Sequence, residues 1–397
     1  MTRPVPQGYK LAGVYCGIKR KSERPDFTMI VSESDASAAG VYTKNLVFAA
    51  PVALDRQRTP GSKIRVIAVN SGNANACTGD RGMADAQRMA QIAAQSAGAS
   101  EDQALILSTG IIGEFLPLDK ITKGIMAASK KLGNDEEALI SAAKGFMTTD
   151  TVHKISTRVL TLGGKELQIT GIAKGAAMIG PNMATMLSVL LTDARLSPEN
   201  AQRLLSDVVQ DSFNCLSIDG HMSTNDTVLF LANGAAGGDE LKGADLGTFR
   251  NSLAEVASEL ARKIADDGEG ATHLVTLEIA GCASRDAAQR IARSVANSPL
   301  VKTAIAGADP NWGRIVSAAG YAGVPFDPMN VTLHVQGNML YQKGQPVAFD
   351  AAVVSAAIRD NRETNIVLRF GEGSHGVRFW TTDLTAEYVR LNADYHT

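Results

Sequence analysis

Apolar residues recur in two alternating rhythms along most of this chain: spacings of three and four, and short runs bounded by Gly, Asn or Asp. The first rhythm predicts helices, because residues three and four apart share a helical face; the second predicts strands. The clearest helix opens at Ser197-Pro198, a hydroxyl cap followed by a proline in the first turn. Leu204, Leu205, Val208 and Val209 then supply its apolar stripe. Leu253, Val256, Ala257, Leu260, Ala261 and Ile264 repeat the stripe until Asp266-Asp267-Gly268 stops it. Weaker helical patterns cover residues 85–97, 118–131 and 286–295, and strand-like runs cover residues 63–69, 104–107, 274–279, 331–335 and 365–370. The mixture predicts a mixed α/β protein with sheets covered by helices. Internal repeats and heptad seams are absent from the sequence, and the Gly-rich stretch 234–247 reads as a loop that compels no domain break.

Composition narrows the classes of partner. The 39 Lys and Arg balance 41 Asp and Glu, so the net charge of -2 gives no general case for nucleic acid or an anionic membrane. The N-terminal segment has no continuous apolar stretch and carries Pro4 and Pro6, which argues against a secretory signal or a transit helix. The longest apolar run, residues 186–191, is far short of a membrane span. Cys16, Cys77, Cys215 and Cys282 are scattered, with no CxxC pair, so they read as reduced thiols buried as small hydrophobes. Neither the cysteines nor the histidines have zinc-ligand spacing. The expected compartment is the cytoplasm.

Five segments are polar beyond what a connector needs. Asn70 to Gly79 follows a strand-like run and offers either a polar nest or an ordinary strand-to-helix turn. Ser108-Thr109-Gly110 ends another apolar run; a Thr-Gly pair there suits an oxyanion hole, or a plain turn. Thr148-Thr149-Asp150-Thr151 and the stretch from Asp219 to Thr227 suit either a polar substrate or local side-chain-to-backbone bonding. The fifth, Asp266 to Thr272, is a capped turn or a carboxylate placed to hold a ligand amine, and it is too short a ladder for calcium. At the centre of the chain, Gly180-Pro181-Asn182 forces a turn, and Thr185 then begins an apolar run. No G-x-S-x-G elbow is present. A threonine nucleophile would therefore need a base other than a readable histidine, such as its own α-amine freed by cleavage of the preceding peptide bond.

With Lys174-Gly175 followed by Pro181-Asn182-Met183-Ala184-Thr185-Met186-Leu187, the sequence resembles the ornithine acetyltransferase (glutamate N-acetyltransferase) family of arginine biosynthesis. The resemblance runs from Ala39 to Thr397 and includes Asn70 to Gly79, Ser108 to Gly110, Thr148 to Thr151, Ser223 to Thr227 and Gly307 to Arg314. It implies self-cleavage between Ala184 and Thr185 into an α chain, 1–184, and a β chain, 185–397. Thr185 would be the nucleophile, its new α-amine the base, and Thr109 and Gly110 the oxyanion hole. Thr148, Lys174, Thr185, Glu269, Asn392 and Thr397 would hold substrate. The implied fold is a layered α/β arrangement of the DmpA type, and the implied assembly is a heterotetramer of two α and two β chains.

The implied activity moves acetyl from N2-acetyl-L-ornithine to L-glutamate without a resident cofactor or metal, with acetyl-CoA as a co-substrate in bifunctional members. Three positions depart from the family's pattern: Ala177 stands for Gly, His221-Met222 for Asp-Thr, and His273 for Lys. If the loop needs positive φ at position 177, the added Cβ slows processing; the two histidines bear on substrate preference. Two rivals share the residues: a self-processing amidohydrolase or aminopeptidase that uses water as acceptor, and an uncleaved binding protein for amino acids.

Overall fold

The computed structural model describes residues 3–19, 23–180 and 186–394. The chain divides into two compact units, one of Met1–Gly175, Asn182–Ser212 and Met222–Leu260, the other of Ala176–Pro181, Phe213–His221 and Ala261–Thr397. None of the boundaries falls in the Gly-rich stretch 234–247, whose last five residues are not loop but the start of a helix at Gly243.

Among the described residues, the first unit is built on eight strands: β1 (Tyr9–Val14), β2 (Phe27–Tyr42), β3 (Gly61–Asn73), β4 (Ala104–Ile111), β5 (Lys154–Leu162), β6 (Lys165–Lys174), β7 (Leu187–Thr192) and β8 (Thr227–Ala232). Their order is β4-β3-β2-β8-β7-β6-β5, with β1 added to β2. The helices are α1 (Ala50–Arg58), α2 (Gly79–Ser96), α3 (Leu118–Ser129), α4 (Glu136–Phe146), α5 (Pro198–Asp211) and most of α6 (Gly243–Asp266). Strand alternation sorts the side chains into two cores. Ile30, Val69 and Leu107 join Leu139, Ala143 and Phe146 of α4. Their neighbours Met29, Ala68 and Ile106 join the alanine-rich face of α2 and Ile121 and Ile125 of α3. Each fully buried aliphatic side chain contributes about 2 kcal/mol, so this two-sided cover of the sheet is the main source of stability.

The second unit has a six-stranded sheet in the order β12-β11-β10-β13-β9-β14. Its strands are β9 (Leu274–Cys282), β10 (Thr332–Val335), β11 (Asn338–Gln342), β12 (Gln345–Pro346), β13 (Glu363–Arg369) and β14 (His375–Thr382). Of its helices, α7 (Arg285–Ala296) opens on Ser284, whose hydroxyl accepts from the Ala287 N–H, and buries Ala288, Ile291, Ala292 and Val295. The others are α8 (Pro299–Ala306), α9 (Trp312–Gly320), α10 (Ala351–Arg359) and α11 (Ala386–Ala393). Among the described residues, no helix is long and apolar enough to cross a membrane.

The mixed α/β class is as expected, and α5 starts at the cap read from Ser197-Pro198, with the Ser197 hydroxyl accepting from Asn200 N–H. Other expectations need correction. The strands read at 63–69 and 104–107 run on through the polar segments to Asn73 and Ile111, so Thr109 and Gly110 are strand residues rather than a turn. Their partners are Ser71 and Gly72 across a parallel ladder. The helix read from residue 85 begins at Gly79. Cys77 is exposed, with a left-handed φ of 58°, whereas Cys215 and Cys282 are buried as expected.

The expected cleavage point lies outside the described residues, but its flanks are placed: β6 ends at Lys174 and β7 begins at Leu187, and the two pair antiparallel. On the other side of the sheet centre, β2 pairs with β8. Cutting the chain at 184/185 leaves both ladders intact, so the fragments 1–184 and 185–397 are expected to elute together in gel filtration and to separate only on a denaturing gel. Separate elution of the fragments under native conditions would contradict this.

Candidate active site

In the first unit, two candidate residues, Thr148 and Lys174, meet at one buried carboxylate. Asp150 sits in the segment between α4 and β5, and its neighbour Lys154 opens β5. Asp150 Oδ1 accepts from Lys154 Nζ at 2.7 Å and from Gly175 N–H at 2.6 Å, while Oδ2 accepts from Thr148 N–H at 3.0 Å. Lys174 Nζ lies 3.9 Å from Oδ2. Burial alone would raise the Asp150 carboxyl, but the ammonium groups of Lys174 and Lys154 reverse that and hold it well below the usual carboxylate range. The structure thus brings Thr148 and Lys174 together through a residue that sequence reasoning had treated only as part of a polar run. Lys174 is the buried last residue of β6, not a solvated turn lysine. A further cation, Lys19, is held near the cluster, and burial lowers its ammonium to about 8 against the pull of Asp26 and Asp150.

Thr109 is buried near the end of β4, with Gly110 beside it. The polar segments around them bond one another: Ser108 Oγ donates to Asn70 Oδ1 at 2.6 Å, and Asn70 Nδ2 donates to the Asn73 carbonyl at 2.8 Å. Asn225 Nδ2 donates to the carbonyls of Ala74 at 2.7 Å and Ser108 at 2.8 Å. Gly110 has a φ of 134°, and a Cβ there would lie 2.3 Å from the Gly72 carbonyl carbon. Only glycine fits so close to β3. Asp226, next to Asn225, accepts the Met186 N–H on Oδ1 at 3.0 Å.

In the second unit, Glu269 and Asn392 are brought together: Asn392 Nδ2 on α11 donates to Glu269 Oε2 at 3.1 Å. Glu269 lies in the turn after α6, and its N–H donates to the Ala176 carbonyl at 2.8 Å. Asp219 completes the frame by accepting the N–H groups of Met178 (2.7 Å) and Ile179 (2.8 Å) and the Tyr388 hydroxyl (3.2 Å). Burial, and then the charge of Asp219, pushes the Tyr388 phenol above its ordinary range, so it serves as a donor. Asp219 and Tyr388 organise this site and were missed. Asp219 was read only as the start of a polar run, and its partner Tyr388 lies 169 residues away.

The departures from the family's pattern now have places. The positive φ in the 176–180 loop falls on Met178, at 56°, and not on Ala177, so the added Cβ meets no backbone objection. His221 is exposed and its N–H donates to Asp219 Oδ1 at 3.1 Å. His273 is buried, with Nδ1 2.8 Å from Asp383 Oδ2 and Nε2 3.2 Å from the Ile358 carbonyl, which makes it a structural clamp. Thr185, Ala184 and Thr397 lie outside the described residues. Among the described residues, no group of three or more His, Cys, Asp or Glu is placed to hold a metal ion.

Comparison with known proteins gives a consistent result. A family model described as the ArgJ family matches residues 10–397. The arginine biosynthesis bifunctional protein ArgJ of Rhodopirellula baltica is 44% identical over 396 residues, covering 99% of this chain and 96% of the relative. That of Thermotoga neapolitana is 43% identical over 402 residues, covering 99% of this chain and all of the relative. The crystal structure of arginine biosynthesis bifunctional protein ArgJ from Bacillus halodurans is 35% identical, with a TM-score of 0.50 over 51% of this chain and 96% of that chain.

Two outcomes follow from this geometry. Asp150→Asn should destabilise the fold by about 3 kcal/mol at pH 7, because it removes the carboxylate that faces buried Lys154 and Lys174. The folded-state pKa of Asp150 is depressed, so its contribution is full above the unfolded value of about 3.9 and is lost as pH falls toward the folded value. Urea titrations should therefore show a constant gap between wild type and variant from about pH 7 to 5, narrowing only below about pH 4; a gap that narrows already at pH 6 contradicts this assignment. Gly110→Ala should cost about 1–3 kcal/mol of stability by overpacking, and lower turnover by about 100-fold by displacing Thr109. Unimpaired turnover in a folded Gly110→Ala protein would remove this strand end from the chemistry.

Proposed function

The chain belongs to the ArgJ family, and from that membership we propose that it moves the acetyl group of N2-acetyl-L-ornithine to L-glutamate through an acetyl ester on Thr185. The products are L-ornithine and N-acetyl-L-glutamate, in arginine biosynthesis. The observation that carries the reading is the end-to-end match: 44% identity across 99% of this chain and 96% of a relative named as an arginine biosynthesis bifunctional protein.

In the proposed mechanism, the Thr185 hydroxyl attacks the acetyl carbonyl and its proton passes to the Thr185 α-amine. An α-amine titrates at about 7.7–8.0, close to a working pH, which suits it as a base. Thr109 and the Gly110 N–H stabilise the oxyanion, each donor contributing roughly 3–4 kcal/mol. Collapse breaks the amide bond, and the ammonium returns its proton to the departing ornithine nitrogen. The glutamate amine then attacks the acetyl ester, which restores the threonine hydroxyl. Each step exchanges one acyl bond for another, so the cycle calls for no resident cofactor. Acetyl-CoA, whose thioester presents the same acetyl carbonyl, is the proposed second donor and acts as a co-substrate.

Self-cleavage uses the same hydroxyl, which attacks the Ala184 carbonyl. The Ala184–Thr185 C–N bond breaks as the Thr185 nitrogen takes up the proton and becomes the free α-amine, and water then hydrolyses the ester to the Ala184 carboxylate and the restored hydroxyl. Support for a cut chain comes from the Bacillus halodurans structure, whose chain is matched over 96% of its length by only 51% of this one. Thr148, Lys174, Thr185, Glu269, Asn392 and Thr397 are proposed to hold substrate, with Lys174 on the α-carboxylate and Glu269 on the ornithine side-chain amine. The buried setting of Lys174 and the Asn392 bond that orients Glu269 support these roles. The proposed assembly is two α and two β chains, and the proposed compartment is the cytoplasm.

Incubation with N-acetylornithine, with and without glutamate, tests the reaction: ornithine release should depend on glutamate and match N-acetylglutamate formed. Release independent of glutamate, with no N-acetylglutamate, would identify a hydrolase. Thr185→Ala should migrate as one full-length band on a denaturing gel and show no turnover.

A further inference from the structure

Residues 225 and 226 are adjacent, buried, and engaged with different strands. Asn225 Nδ2 bonds the carbonyls of Ala74 and Ser108, and Ser108 immediately precedes Thr109. Asp226 Oδ1 takes the N–H of Met186, and that N–H belongs to the peptide unit formed with the carbonyl of residue 185. The Thr43 N–H donates to the Asp226 main-chain carbonyl at 2.9 Å, and the Asn225 N–H donates to Ser223 Oγ at 3.0 Å, so the dipeptide is itself fixed.

We propose that Asn225–Asp226 is the positioning element of this site: Asn225 fixes the strand end that carries Thr109 and Gly110, and Asp226 fixes the N–H of Met186, the residue that follows Thr185 in the chain. Adjacent residues on one short segment thereby tie the strand end at Thr109 and Gly110 to Met186, which follows residue 185 in the chain. The inference rests on the reading above that Thr185 is the nucleophile.

Asp226 does this as the uncharged acid. It is fully buried, it makes no ion pair among the described residues, and its Oδ2 has no hydrogen-bond partner among them. The Thr43 hydroxyl donates to the Ser223 carbonyl at 2.7 Å. The charged group that faces it is Lys174 on β6, which lies 3.9 Å from the Asp150 carboxylate. Arg56 on α1 is directed to the Thr43 carbonyl. Burial accordingly pushes the Asp226 carboxyl well above the usual carboxylate range, against the pull of the Met186 N–H and Lys174. A carboxylate close to an amine favours the ammonium, whereas a neutral acid leaves an amine free to take a proton.

The test uses the full chain carrying Asp226→Ala, Asp226→Asn or Thr185→Ala, with folding checked by thermal melting. Asp226→Ala should slow self-cleavage and lower kcat by at least about tenfold while KM for N-acetylornithine stays within about twofold, the pattern of a misplaced nucleophile rather than lost substrate contact. Asp226→Asn keeps an acceptor for the Met186 N–H and should restore cleavage to within about threefold of wild type, with the acidic limb of the kcat/KM profile moved by no more than about 0.3 pH unit. Cleavage of Asp226→Ala at the wild-type rate overturns the inference. So does an acidic limb shifted down by about one unit in Asp226→Asn, which would reveal an ionised carboxylate acting on the amine. Should Asp226→Ala not fold, the Asp226→Asn cleavage rate and profile decide. Cleavage or turnover by Thr185→Ala sinks the nucleophile assignment itself; an inert Thr185→Ala beside a wild-type-like Asp226→Ala sinks only the positioning role.

Discussion

The buried carboxylate of Asp150 is the interaction on which the first unit's site depends. It holds the Thr148 N–H, the Gly175 N–H and the Lys154 ammonium, with Lys174 beside it, and so ties the segment before β5 to the end of β6. A buried ion cluster of this kind adds little net stability, since desolvation offsets most of the attraction. What it supplies is specificity: a lysine at the end of an inner strand can stay charged there only with a partner. The sheet gives the cluster a rigid base, because β6 is flanked on both sides by paired strands.

The second unit reaches a comparable end with hydrogen bonds to carboxylates rather than with a lysine–carboxylate cluster. Asp219 gathers the N–H groups of the 176–180 loop, Tyr388 ties α11 to Asp219, and Asn392, one helical turn further on, orients Glu269. Glu269 in turn holds the Ala176 carbonyl through its own N–H. The 176–180 loop is therefore fixed by the same set of side chains that orients the Glu269 carboxylate. Self-cleavage and acetyl transfer both require a nucleophile held in one place, and such fixed backbone suits both.

Much of the scaffold was legible in the residues. The α5 cap, the α6 stripe and the α/β alternation are local signals, and local signals survive folding. The 16-residue β2 was not legible, because Ser32 to Asp35 interrupts its apolar run where its ladder with β3 shifts register. The resemblance pointed to Thr109, Lys174 and Glu269, but neither it nor the polar runs revealed what holds them. Asp150, Asp219 and Asn225 act through contacts 25 to 169 residues away, which no spacing rule encodes. Lys174 is the sharpest case: charge and a following glycine suggest a solvated turn, whereas the sheet buries it beside a carboxylate.

The central claim is that the acetyl group rests on residue 185 between donor and acceptor. Mixing the cleaved protein with N-acetylornithine in the absence of glutamate, quenching in acid and weighing the fragments by mass spectrometry tests it directly. The account predicts one added acetyl group on the fragment that begins at Thr185, lost on addition of glutamate as N-acetylglutamate forms. Turnover by a protein that never carries acetyl on that fragment would contradict it.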